Sequence, residues 1–233
     1  MTPVTATAII IPSHTHSAHL PLRLLAYLSI NLPIHPPQRR TNLPIYLLGA
    51  PMSAILHPDI EHVLIDTESI QQRVQELAAE IDRDYADKPR LLLVGVLKGA
   101  FIFLSDLCRA LTVPHAVDFM AVSSYGMTAT SGAVRIILDL RESIEGKHVL
   151  LVEDIVDSGH TLRYLQQVLA SRGPASLRTC ALSRKERPEA MNVPVDYLGF
   201  TLPDVWVVGY GLDYADTHRT LPYIGALKPE VYR

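Results

Sequence analysis

Apolar and polar positions recur with two different spacings along the chain, and their alternation predicts strands separated by helices. His62 to Ile65 is a short apolar strand. Asp66 or Thr67 then caps a helix whose apolar face is Ile70, Val74, Leu77, Ile81 and Tyr85, spaced four, three, four and four residues apart, the recurrence that lines up side chains on one helix face. Lys88-Pro89 ends it, since proline cannot continue a helix. Leu91 to Val96 is an unbroken apolar run, the mark of a strand buried on both faces. Gly99 to Ala110 reads as the next helix and Val117 to Val122 as the next strand. A small, polar stretch, Ser123 to Ala133, separates that strand from Arg135–Leu140; the pair reads as a hairpin with a long loop, and long loops in compact domains are often functional. Strand His148–Val152, an acidic turn, helix Thr161–Ser171 and strand Ser176–Leu182 follow, and Tyr197–Phe200 and Val205–Tyr210 are strands of a tail rich in turns. Strands alternating with helices imply an α/β fold with a mostly parallel, doubly wound sheet.

Composition adjusts this picture at one end. The first 51 residues carry no Asp or Glu, three arginines (Arg23, Arg39, Arg40), four histidines and eight prolines. The longest proline-free stretch among them, Leu22 to Leu32, contains Arg23 and is too short to span a bilayer. Neither a signal peptide nor a transit peptide fits: the first basic residue lies beyond the Ile9–Ile11 cluster, and arginines are few. His14, His16 and His19 lie in a proline-broken segment without the rigid geometry of a metal site. Residues 1–51 are expected to be a disordered leader, or the product of a start placed too far upstream, and residues 52–233 one domain. Removing three positive charges from the formal −3 leaves the remainder at −6, so no basic field invites nucleic acid or an acidic membrane surface. Cys108 and Cys180 both sit in apolar runs and read as small buried hydrophobes in a reducing, cytoplasmic compartment.

The chemistry concentrates in the run from His148 to Leu162. Apolar residues bury a strand, and Glu153 and Asp154 stand at its C-terminal end, where open α/β sheets bind ligands. Asp157-Ser158-Gly159-His160-Thr161 then makes a glycine-relieved turn into a helix start. Free backbone N–H groups, two hydroxyls and the positive helix end form a phosphate cradle. Taken singly, Asp154 and Asp157 could be turn and cap residues; the two acids, two apolar residues and Asp-Ser-Gly-X-Thr together are specific.

This run closely resembles the phosphoribosyl-pyrophosphate motif of the phosphoribosyltransferases, which implies their type I fold with a flexible hairpin loop and a small hood subdomain. The resemblance implies that Glu153 and Asp154 bind the ribose hydroxyls directly or through Mg2+, that Ser158, Gly159, His160 and Thr161 hold the 5-phosphate with Asp157, and that Asp157 is general acid/base at N7 of a purine. Further stretches resemble the hypoxanthine-guanine members. Leu97-Lys98-Gly99 matches a pyrophosphate loop with unusual peptide geometry and a lysine at a subunit interface. Ser123-Ser124-Tyr125-Gly126 matches the start of a closing loop, so Ser124 and Tyr125 are expected at the substrate. Lys185 matches a lysine that donates to O6 of the base, with Arg184 and Arg187 as alternative cations. In the stretch from Leu202 to Arg219, Trp206 would stack on the purine, Val207 would contact it through its backbone, Asp213 would organise a second Mg2+, and Arg219 would hold pyrophosphate.

The implied activity is transfer of phosphoribosyl from phosphoribosyl pyrophosphate to a 6-oxopurine, with Mg2+ as the cofactor (Glu153, Asp154 and Asp213 as ligands) and a homodimer or homotetramer as the assembly. Two other readings stay open: a xanthine-preferring enzyme, and a non-catalytic nucleic-acid-binding regulator on the same fold. The acidic balance speaks against the second.

Overall fold

The computed structural model describes residues 56–124 and 134–233, with the backbone alone at Ser124. The elements run β1 (Ile60–Ile65), α1 (Thr67–Tyr85), β2 (Leu91–Leu97), α2 (Phe101–Ala110), β3 (His115–Ser124), β4 (Val134–Leu138), β5 (His148–Val156), α3 (His160–Ala170), β6 (Ser176–Lys185), α4 (Pro188–Met191), β7 (Tyr197–Leu202), β8 (Val207–Val208), β9 (Ile224–Leu227) and α5 (Pro229–Tyr232). Six strands form the main sheet in the order β4-β3-β2-β5-β6-β7. Its strands are parallel except β4, which returns antiparallel along β3 at one edge. The strands β1, β9 and β8 form a separate antiparallel sheet.

The central strands are apolar throughout because helices cover both faces. On one face Leu93, Leu150, Val152 and Leu182 pack with Ile70, Val74, Leu77 and Ile81 of α1 and Phe103 and Leu107 of α2. On the other, Val94, Val149 and Leu151 pack with Leu162, Leu165 and Leu169 of α3. Successive residues of β5 thus serve opposite cores, as a period of two requires. The second sheet has its own small core of Ile60, Val208, Tyr223 and Leu227. Asp66 caps α1 by accepting from the Ser69 N–H at 2.7 Å. Arg73 fastens α1 to the far edge by donating to the Leu198 carbonyl at 2.8 Å.

The expected parallel α/β architecture is present, and the differences lie at element ends. The acidic turn expected after Val152 is still strand: β5 continues to Val156 because β6 goes on supplying backbone partners, pairing Glu153 with Ala181 and Ile155 with Ser183. The helix expected from Gly99 begins at Phe101, with Lys98 to Ala100 spent on a turn. The strand expected over Val205–Tyr210 shrinks to Val207–Val208: positive φ at Gly209, Tyr210 and Gly211 ends it early, and Val205 and Trp206 lie in the loop before it. No described helix is long and apolar enough to cross a membrane.

Leu150 is fully buried in the central strand. Leu150→Ala should therefore lower the unfolding free energy by about 2–5 kcal/mol in urea denaturation. Ile137→Ala, at an exposed edge position, should stay within about 0.5 kcal/mol of the parent. Equal losses at both positions would contradict this assignment of core and edge.

Candidate active site

The extension of β5 sets the direction of its two carboxylates. Alternation places Glu153 on the α3 face with Val149 and Leu151, and Asp154 on the opposite face. Glu153 is 7% exposed, and its Oε2 has no hydrogen-bond partner among the described residues. Loss of water, and then the neighbouring Asp154 charge, push its carboxyl well above the usual range. Asp154 lines a cleft, yet protein crowds its carboxyl, and this loss of water raises it to about 6 despite the Ile155 N–H that it accepts at 2.8 Å.

Asp157 follows at the surface, and Gly159 turns the chain with φ 76°. A side chain at Gly159 would also strike Val193. The first turn of α3 has no side-chain cap, so Ser158, His160 and Thr161 surround free backbone N–H groups at a helix start.

Two further loops close on Asp154. The Leu97–Lys98 peptide is cis, the unusual geometry expected there. Gly99 comes so near that a Cβ would lie 1.6 Å from Asp154 Oδ2. Gly211, at φ 104°, packs on Gly99 in turn, and a Cβ there would lie 2.1 Å from the Gly99 carbonyl oxygen. The loop beyond Gly211 carries Asp213, Asp216 and Arg219. Arg219 donates to the Gly211 carbonyl at 2.8 Å and pairs with Asp213 at 2.7 Å and Asp216 at 3.0 Å. Lys98 Nζ reaches the same Asp216 oxygen at 2.8 Å; with Arg219, it holds the Asp216 carboxyl below its usual range.

Asp154, Ile155, Asp157, Lys185, Trp206, Val207, Leu212 and Asp213 line a cleft of about 170 Å³. Lys185 is the last residue of β6, and its side chain is 8% exposed. Its Nζ lies 3.3 Å from Asp157 Oδ1, 3.8 Å from Asp204 Oδ1 and 6.0 Å from the centre of the Trp206 ring. Arg187 also pairs with Asp157, at 3.0 Å, and with Asp204. Trp206 is half exposed and held edge-on by Tyr214 at 5.6 Å, with Tyr232 tilted beside it at 5.7 Å.

Residues 64–215 match the phosphoribosyl transferase domain. A hypoxanthine-guanine phosphoribosyltransferase of Dictyostelium discoideum is 50% identical over 175 residues, covering 73% of this chain and 97% of its own. The enzyme of that name from Bacillus subtilis is 49% identical over 175 residues, covering 75% and 97%. The chain belongs to the hypoxanthine-guanine branch of the phosphoribosyltransferase family. Among solved structures, the hypoxanthine phosphoribosyltransferase of Trypanosoma cruzi in complex with its product IMP is 47% identical, with a TM-score of 0.71 over 76% of this chain and 100% of that one.

In this phosphoribosyltransferase the site residues expected from sequence fall into three neighbouring groups. Asp154, Asp157, Lys185, Trp206, Val207 and Asp213 share the cleft. Lys98, Gly99 and Arg219 cluster around Asp216 and Gly211, and Ser158 to Thr161 form the turn into α3. Glu153 belongs to the opposite face of β5 from Asp154. Tyr125 and the side chain of Ser124 lie outside the described residues. Sequence reasoning passed over Asp204 and Asp216, two of the four acids that pair with Lys98, Lys185, Arg187 and Arg219, the others being Asp157 and Asp213. Both are ordinary loop aspartates in sequence, and their only signal was proximity to Trp206 and Arg219.

Asp154 titrates near 6 in the folded chain against about 3.9 in an unfolded one. Folding therefore disfavours its charged form, and the penalty is absent below about pH 4, grows toward pH 6 and is complete above it. Metal-free Asp154→Asn should accordingly be more stable than the parent at pH 8, by up to about 3 kcal/mol, and equal to it at pH 3.5. Thermal unfolding in chelator at the two pH values measures this, and a pH-independent difference would contradict it.

Proposed function

We propose that this chain moves the 5-phosphoribosyl group of phosphoribosyl pyrophosphate onto hypoxanthine or guanine, releasing pyrophosphate and giving IMP or GMP. The observation that carries this reading is Lys185 Nζ beneath Trp206 and 3.3 Å from Asp157. These three groups suit three demands of a 6-oxopurine acceptor. The Trp206 ring offers a face for stacking. The Lys185 ammonium can only donate, so it suits O6 of the base and disfavours the amino group of adenine. Asp157 is within reach of a proton leaving N7 as the base bonds to C1 of the ribose. The electron pair of the breaking C1–O bond departs with pyrophosphate. Val207 is buried at the start of β8, so its backbone groups are the part of it offered to a base.

The donor would rest with its 5-phosphate on the turn of Ser158, Gly159, His160 and Thr161 and its pyrophosphate near Lys98, Gly99 and Arg219. Hard oxygen donors fit magnesium: Asp154 and Asp213 share the cleft, whereas Glu153, expected as a third ligand, lies on the opposite face of β5 and does not line it. Bound there, the ion would offset the charge of the leaving pyrophosphate. Ser124 and Tyr125 would belong to a loop that shields the reacting centre from water. A cytoplasmic homodimer or homotetramer, with Lys98 near the contact between subunits, completes the proposal.

Parallel assays with phosphoribosyl pyrophosphate, magnesium and hypoxanthine, guanine, xanthine or adenine test it. Hypoxanthine or guanine should turn over fastest. Asp157→Asn should lower kcat by about 10²–10⁴-fold while donor binding changes little. Lys185→Gln, whose amide can accept as well as donate, should narrow the preference for hypoxanthine over adenine by about tenfold or more. Absence of turnover with every base would overturn the assignment, and fastest turnover of xanthine would move it to that substrate.

A further inference from the structure

Outside the cleft, three side chains with metal-ligating atoms converge where the chain enters β1. His57 and Asp59 precede that strand, and His218 comes from the loop that carries Asp213, Asp216 and Arg219. Asp59 Oδ2 lies 3.3 Å from His218 Nε2 and 3.7 Å from His57 Nδ1. The imidazoles meet edge-on with centres 4.8 Å apart, and one donor atom from each of the three residues lies within 4.8 Å of the other two. Zinc holds nitrogen and oxygen ligands at about 2.0–2.2 Å in a tetrahedron, whose edge is therefore about 3.3–3.6 Å. The two distances to Asp59 are already close to that edge. His218 is held by a left-handed backbone (φ 69°) with its side chain 8% exposed, whereas His57 and Asp59 leave one side open to solvent.

We propose that His57, Asp59 and His218 form a zinc-type metal site, with water in the fourth position, that clamps the Asp213–Arg219 loop to the start of β1. Two imidazoles and one carboxylate select zinc, cobalt or nickel over magnesium, so the site is chemically separate from the carboxylates of the cleft. Binding displaces little. His57 Nδ1 gives up one long bond from the Asp59 N–H, at 3.2 Å. The His57 N–H keeps its bond to the Tyr223 hydroxyl at 3.1 Å, and the Asp59 carbonyl keeps the Lys228 N–H at 2.9 Å. The Arg219 guanidinium is turned away toward Asp213 and Asp216. The clamp joins His57 and Asp59 to His218, far along the chain, and fixes the backbone that carries Arg219, making His57, Asp59 and His218 positioning residues.

The test is a Co2+ titration of the full chain in excess Mg2+, followed by visible absorption. One equivalent should give the intense d–d band of a tetrahedral ion, and stoichiometric Zn2+ should erase it. His218→Ala should weaken binding by more than the roughly 100-fold that loss of an outer-shell partner costs. Asp59→Asn, which preserves shape, should lower affinity at least tenfold, so a folding defect at His218 does not decide the matter. Replacing His14, His16, His19 and His35 together with Ala should leave the band intact. Zn2+ should also raise the Tm of the parent and not of His218→Ala. No tetrahedral band in the parent would overturn the proposal, leaving a histidine–aspartate hydrogen-bonded clasp. A band that survives both His218→Ala and Asp59→Asn, or vanishes with the four leader histidines, would overturn it equally.

Discussion

Carboxylates are costly to strip of water, and this fold carries two of them, side by side, to the end of a strand buried on both faces. The cost is visible in how far Glu153 and Asp154 are pushed toward their neutral forms. Pairing with β6 takes the strand four residues beyond Val152, to Val156, and alternation sends the two acids to opposite faces. Everything near Asp154 must then come close without filling the space it needs. Gly99 approaches its carboxyl and Gly211 approaches the Gly99 carbonyl, each at a distance no side chain permits. The loop with Asp213 and Arg219 is placed by that stack of backbone on backbone. A carboxylate poised near neutrality and open to a cleft is a ready partner for a cation.

The cations of the site are not idle either. Lys98 and Arg219 share Asp216, while Lys185 and Arg187 share Asp157 and Asp204. Each group that would meet an anionic donor or a base carbonyl is already neutralised by a neighbouring acid. Exchange of partners is easiest at the exposed pair: the side chains of Lys98 and Asp216 are two-thirds exposed, and ion pairs so well solvated contribute little. Lys185 differs, since its buried stem fixes the ammonium whatever it is paired with. Ligand binding in such a site trades one set of ion pairs for another, and its enthalpy reports the difference between them.

Much of this was legible in the chain. The unbroken apolar run of Leu91–Val96 and the spacing of Ile70 through Tyr85 gave the buried sheet and the helix on it, because burial on two faces or one leaves a direct trace in residue type. The run from Glu153 to Thr161 pointed to a candidate site because acids, glycine and hydroxyls at those intervals are rarely assembled by chance. The end of β5 was misplaced because polar residues usually close a strand, and only the partner strand reveals that this one continues. The strand around Trp206 is shorter than expected because Val205 and Trp206 belong to the preceding loop and the backbone takes positive φ from Gly209 to Gly211, at Tyr210 with nothing in the side chain to announce it. Asp204, Asp216 and the His57–Asp59–His218 cluster escaped notice for a simpler reason: Lys98 reaches Asp216, Lys185 and Arg187 reach Asp204, and His218 reaches Asp59 only once the fold brings separate segments together.

Trp206 is the only tryptophan in the chain, and its position has an optical meaning. A single half-exposed indole at the mouth of the cleft emits without a background from any other tryptophan. Tyr214 and Tyr232, at 5.6 and 5.7 Å, are close enough to pass their excitation to it. The Lys185 ammonium near its face makes its emission sensitive to which charge that lysine is facing. The molecule thus carries its own fluorophore on the wall of the cleft, and a molecule entering there would change the colour and intensity of its light.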